Sequence, residues 1–149
     1  MTKKISAFIL SSLLLLLGTT FAANAQKEKV EGNWLNQEKD AKIEIYKARD
    51  GKFYGKIVWL KEPNRDGKPK TDINNPKENM KATPIMGLLI LKGFNKDDDT
   101  SYEDGTIYDP KNGKTYSCKI TVKDANTLSI RGYIGISLIG RTTTWVRSN

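Results

Sequence analysis

The stretch TYSCKITVKDANTLSIRGY, residues 115–133, decides the fold. Tyr116, Cys118, Ile120 and Val122 alternate with Ser117, Lys119, Thr121 and Lys123. A period of two puts the first set on one face and the second on the other, the pattern of a strand with one side buried. Asp124-Ala125-Asn126 turns the chain. Thr127 to Tyr133 then returns it, with Leu128 and Ile130 inward and Arg131 outward.

The same period recurs on both sides of this hairpin. Downstream, Gly135 to Gly140 is an apolar connection and Arg141 to Arg147 a last strand. Upstream, Asp109 to Gly113 is a turn, Gly105 to Asp109 a short strand, and Asn95 to Asp104 an acidic loop. Met86 to Leu91 is an apolar strand. Further back, Ala41 to Ala48 and Lys52 to Leu60 flank an Asp50-Gly51 hairpin turn, and Gly32 to Leu35 begins the first strand. Phe53, Gly55, Ile57 and Trp59 are expected on one face with Ile43 and Ile45. Between the two halves lies Lys61 to Pro84, with Pro63, Pro69, Pro76 and Pro84, which block ladder pairing. It reads as a long polar loop with a short helical turn around Pro76 to Met80. About eight short strands in neighbouring order predict an all-β domain, a small antiparallel up-and-down barrel. A β-sandwich is the alternative.

Composition narrows the chemistry. The 149 residues include no histidine and one cysteine, and carry a net charge of +8. No Ser-His-Asp or Cys-His device, histidine-ligated metal or intrachain disulfide can be built from them. Neither a dinucleotide fingerprint nor a Walker loop occurs, and no cofactor is called for. Asn95, Asp97 and Asp99 match the first positions of a calcium loop. Thr100 and Thr106 then stand where glycine and a bidentate glutamate are needed, so no metal is assigned.

Residues 1–25 read as a secretory leader. Lys3 and Lys4 precede an apolar run from Ile5 to Leu17, and Ala23-Asn24-Ala25 is an A-x-A cleavage pattern. Cleavage after Ala25 would leave residues 26–149 as one exported domain, periplasmic or extracellular. It would remove two of the 25 basic residues and none of the 17 acidic ones. No second apolar run is long enough for a transmembrane span. Export argues against a nucleic-acid partner. The basic balance suits an anionic envelope surface, although scattered lysines serve solubility equally well.

Three constellations stand out. Gly32-x-Trp34 and Trp145-x-Arg147 sit at the two ends of the strand pattern, where an arginine could pack across a tryptophan ring and close the barrel base, as in lipocalin-like barrels. Asp72-Ile73-Asn74-Asn75-Pro76 is either a turn staple for the long loop or a polar rim at the barrel mouth. Arg141 shares a face with Thr143 and Trp145 by parity. If that face points inward, Arg141 needs an anionic partner such as Asp72, Asp109 or a ligand carboxylate or phosphate; otherwise it is a surface charge.

From Gly32 to Arg147 the chain resembles an exported bacterial family called domain of unknown function 2147. The matching stretches are Gly32-x-Trp34, Gly55 to Trp59, Asp72-x-x-Asn75-Pro76, Gly87 to Leu91, Gly105 to Pro110, Gly113 to Tyr116, Arg131 to Gly135, and Gly140-Arg141-Thr142 with Trp145-x-Arg147. One departure is Tyr102-Glu103-Asp104-Gly105, where the family places an aromatic-glycine pair. The resemblance implies an exported lipocalin-like β-barrel and carries no settled activity. The expectation is a noncatalytic envelope protein. A small apolar or amphipathic, even acidic, ligand would lie among Ile57, Trp59, Leu88 and Ile90. Asp72, Asn75, Tyr108 and Arg141 would form its polar rim. The alternative is an interaction module with a filled barrel, packed by Phe53, Ile57, Tyr116, Ile120 and Ile130, acting through the 61–84 loop.

Overall fold

The computed structural model describes residues 25–149. The leader expected over residues 1–25 lies outside them, apart from Ala25. Eight strands form a closed antiparallel barrel: β1 (Gly32–Leu35), β2 (Ala41–Lys47), β3 (Phe53–Leu60), β6 (Leu89–Lys96), β7 (Ser101–Asp109), β8 (Lys114–Asp124), β9 (Thr127–Tyr133) and β10 (Gly140–Arg147). Each strand pairs with its sequence neighbour, and β10 closes on β1 through Trp34 opposite Arg147 and Leu35 opposite Val146. The barrel, not the sandwich, is the fold, and the hairpin at 115–133 lies in it with the expected faces.

Some boundaries differ from the sequence reading. The acidic segment 95–104 is mostly strand: β6 runs to Lys96 and β7 begins at Ser101. Only 97–100 is loop, and the Asp98 carboxylate accepts the backbone N–H groups of Thr100 and Ser101, each at 2.8 Å. These bonds hold its carboxyl below the usual range. At Tyr102-Glu103-Asp104-Gly105 the β7–β8 register slips, with Asp104 at φ 60°, so the departure from the family pattern is a β-bulge. The long loop has structure of its own. Asn64–Arg65 (β4) and Lys68–Pro69 (β5) make a two-stranded hairpin. Its Asp66-Gly67 turn has both residues at positive φ. A 3-10 turn covers Glu78–Met80.

An up-and-down meander puts alternate connections at opposite ends. One end carries the segment before β1, the β2–β3 and β6–β7 turns and the Asp124–Thr127 turn. The other carries residues 36–40, the long loop, the 109–114 turn and the 133–140 loop. The first end is filled. Trp34, Phe53, Phe94 and Tyr102 are fully buried there with Val30, Ile45, Leu91, Ile120 and Leu128. Phe53 and Tyr102 meet edge to face at 4.9 Å. Gly55 and Gly105 make room for this plug: a Cβ on Gly55 would stand 2.7 Å from Leu91 Cδ1, and one on Gly105 would collide with the Phe94 ring.

The base is sealed by the pair singled out in the sequence. The Arg147 guanidinium lies 4.1 Å from the Trp34 ring centroid. It donates to three backbone carbonyls: Ala125 at 2.7 Å, Lys29 at 2.9 Å and Glu31 at 3.1 Å. Trp34 Nε1–H donates to the Val30 carbonyl at 2.8 Å. Gly32 completes the group. It sits at φ 129°, and a Cβ there would lie 2.6 Å from Arg147 Nη1. Arg147→Met, which keeps the stem and removes the charge and its bonds, is expected to destabilise the fold by about 2–4 kcal/mol. Arg147→Lys should recover only part, because one ammonium cannot span three carbonyls. Urea midpoints would measure both, and an unchanged midpoint in Arg147→Met would mean that packing alone holds the base.

Candidate functional site

The other half of the barrel is hollow. A cavity of about 1080 Å³ opens between the long loop, the 109–114 turn and the 133–140 loop. Its deeper wall is aliphatic and aromatic: Ile43, Ile57, Ile90, Ile107, Ile130 and Trp145. These come from six different strands, each from the inward parity of its own alternation. The mouth is polar. Glu38, Asp40, Lys61, Lys70, Lys111 and Arg141 stand around it, together with Tyr108 and Asn74. The volume sits at the upper end of small-molecule sites, which typically run to about 1,000 Å³ with apolar walls and few polar groups. The filled-barrel expectation therefore fails for this half. Ile57, Tyr116 and Ile130 line open space, while Phe53 and Ile120 belong to the plug.

The expected ligand residues are not all brought together. Ile57 and Ile90 line the cavity; Leu88 is half-buried against the core and does not. Trp59 is a correction. The β2–β3 register pairs Ile43 with Ile57 but Lys42 with Trp59, so Val58 is an extra residue and parity flips after it. Trp59 faces outward under the Lys42 ammonium, 5.6 Å from its ring centroid, and Leu60 takes the inward place.

Asp72 and Asn75 do not line the cavity either; they fasten its cover. Asp72 is fully buried. The Tyr108 hydroxyl lies 2.8 and 2.9 Å from its two carboxylate oxygens, and Asn75 Nδ2 donates to it at 2.8 Å. One residue along, Asn74 Nδ2 donates to the carbonyls of Pro110 and Lys111, both at 3.1 Å. Gly113 lies so close to the Asn74 carbonyl that no side chain would fit. The Asp72–Asn75 motif and the Tyr108–Gly113 motif are thus two halves of one clasp.

Arg141 does share the inward face with Thr143 and Trp145, but its guanidinium stands at the exposed rim, 3.7 Å from Glu38. Lys111 pairs with Asp40 at 2.8 Å beside it. Sequence reasoning missed Ile107, Thr143 and Ile139 as lining residues. Strand parity could have supplied the first two. Ile139 sits in a loop, where periodicity says nothing.

The chain belongs to the DUF2147 family. The model of that family, described as uncharacterized protein conserved in bacteria, matches residues 32–147. This range starts at the base glycine and ends at the base arginine. Among solved structures, the DUF2147 chain is similar to protein HP1028 from Helicobacter pylori, which is described as belonging to the lipocalin family. The identity is 25%, the TM-score 0.73, and the match covers 83% of this chain and 85% of that one. No curated protein matches.

The clasp makes a test. Burial first, and then the bond to Asp72, push the Tyr108 phenol from 10.0 up to about 12. A phenol raised in the folded state stabilises the docked loop fully below its unfolded value. That contribution is lost as pH rises through the folded one. Protection of the 61–84 loop from proteolysis should therefore hold from neutrality to about pH 10 and fall above it. Tyr108→Phe leaves the buried carboxylate short of a donor and should cost about 1–3 kcal/mol, with faster loop cleavage already at neutral pH. Equal cleavage rates in the two proteins would remove Tyr108 from the clasp.

Proposed function

We propose that this DUF2147 protein is an exported, noncatalytic envelope carrier that holds one small apolar or amphipathic ligand in the open half of its barrel. The observation that carries this reading is the cavity itself: about 1080 Å³, closed at the base, apolar in depth and polar at the rim. A ligand with an apolar body would replace water against Ile57, Ile90, Ile107 and Trp145, and each buried methylene contributes about 0.8 kcal/mol. An acidic head group would sit at the rim, where Arg141 is held by Glu38 only at 3.7 Å and can turn to a better anion. The likeness to a protein described as a lipocalin supports a binding role.

The side chains also favour binding over catalysis. The buried carboxylate, Asp72, is committed to the clasp. The Cys118 thiol is buried, which pushes it up to about 12 and leaves it protonated and unreactive. Export is supported by the charged start, apolar run and A-x-A pattern of residues 1–25. The intact mass of the protein recovered from a bacterial envelope should correspond to residues 26–149. A mass retaining the apolar run would refute cleavage.

An anionic naphthalene dye, anilinonaphthalene sulfonate, combines an aromatic body with an acidic group. It should bind with one-to-one stoichiometry and a rise in emission. Ile107→Trp, which fills the cavity from one wall, should weaken binding at least about tenfold, and Arg141→Glu should weaken it by about 1–2 kcal/mol through the lost and reversed charge. Dye emission unchanged in the tryptophan variant would place binding outside the barrel and sink the carrier reading.

A further inference from the structure

The β9–β10 connection, Ile134-Gly135-Ile136-Ser137-Leu138-Ile139, is the most exposed apolar feature of the described residues. Ile134 is 70% exposed, Ile136 59%, Leu138 84% and Ile139 69%. Neither the barrel core nor the cavity explains it. Ile134 and Ile139 touch the cavity mouth, and Ile136 and Leu138 touch none of the lining. Single exposed aliphatics are ordinary, but four in six residues at one tip mark an interaction surface.

The tip is built to leave water. Inside the loop the Arg131 guanidinium donates to the Ser137 carbonyl at 2.6 Å, the Leu138 carbonyl at 3.2 Å and Thr142 Oγ1 at 2.8 Å. Ile139 N–H donates to the Ile136 carbonyl at 3.1 Å. The backbone oxygens that an apolar medium would leave stranded are therefore already bonded. The tip is convex and narrow. It offers a flat protein partner far less than the roughly 1,200 Å² of a stable interface, whereas a fluid surface closes around it.

Charge selects the surface. The loops of the same end carry Lys39, Lys61, Arg65, Lys68, Lys77 and Lys114, all exposed and none in a salt bridge among the described residues. The other cations of these loops are spoken for: Lys70 by Glu62, Lys81 by Glu78, Lys111 by Asp40. Asp66 and Asp109 are the acidic groups left at this end without a cationic partner. An apolar tip ringed by free cations is complementary to anionic phospholipid headgroups over acyl chains.

We propose that the protein docks mouth-down on an anionic lipid bilayer, with Ile136 and Leu138 entering the leaflet and the free lysines and Arg65 contacting headgroups. Docking does not depend on the carrier reading. Ile107→Trp, which blocks the cavity, leaves the tip and its cations intact and should bind vesicles as the unaltered protein does.

The test uses Leu138→Cys labelled with an environment-sensitive dye, since the native Cys118 is buried and unreactive. Vesicles of phosphatidylcholine with phosphatidylglycerol should shift the emission to the blue, and phosphatidylcholine alone should shift it far less. Raised salt should reverse the binding. In cosedimentation with the same vesicles, Ile136→Glu/Leu138→Glu in the otherwise unaltered chain should bind at least about tenfold more weakly, with its unfolding midpoint unchanged because both side chains face solvent. Absence of a dye shift, or equal sedimentation of the double variant, would overturn the proposal. A vesicle-independent dimer that the same variant abolishes would overturn it in favour of self-association.

Discussion

The contact of Arg147 with Trp34 is the constraint on which the rest depends. A short β1 offers β10 only two residue pairs, so hydrogen bonding alone is a weak closure for the barrel seam. The guanidinium adds what the ladder lacks. It covers the ring that would otherwise meet water, and its three carbonyl bonds tie the segment before β1 to the Asp124–Thr127 turn. Gly32 is there because the guanidinium passes where a side chain would be. With that end sealed, the interior is accessible from the opposite end.

Stability and cavity are divided between the two halves. Large rings and side chains pack the base, and Gly55 and Gly105 give up their own side chains so that Leu91 and Phe94 can fill it. Dense packing there lets the other half stay hollow, since small isoleucines on six strands cannot meet across the barrel. The hollow half is kept in shape from outside. The Asp72–Tyr108 clasp and the Asn74 bonds to the 110–111 carbonyls hold the long loop beside the mouth. The family motifs therefore divide into base, clasp and rim, and each has a physical task.

The same polarity along the barrel axis organises the functional reading. Base, plug, cavity and apolar tip follow one another along a single direction. A carrier that exchanges cargo with a membrane needs its opening and its membrane-seeking surface at one end. The mouth, the free cations and the 134–139 tip share that end.

Much of this was legible without a structure, because alternation and turn chemistry are local. The strand over 115–123, the return over 127–133, the first strand at Gly32 and the base pair of Trp34 with Arg147 follow from neighbouring residues and the two ends of one pattern. The hairpin at Asp50-Gly51 was equally legible, although only Gly51 takes positive φ there. Trp59 was misread because a single inserted residue, Val58, reverses parity, and a bulge is set by the partner strand. Asp72 meets Tyr108 across 36 positions, which no local pattern encodes. Whether the barrel is solid or hollow depends on summed side-chain volumes around a closed ring, and whether 134–139 is covered depends on what packs beside it. The sequence by itself determined the strands, their order and the closed base, since these rest on local periodicity. Only the tertiary structure decided the cavity, the clasp and the bare apolar tip, since these rest on which distant side chains share space.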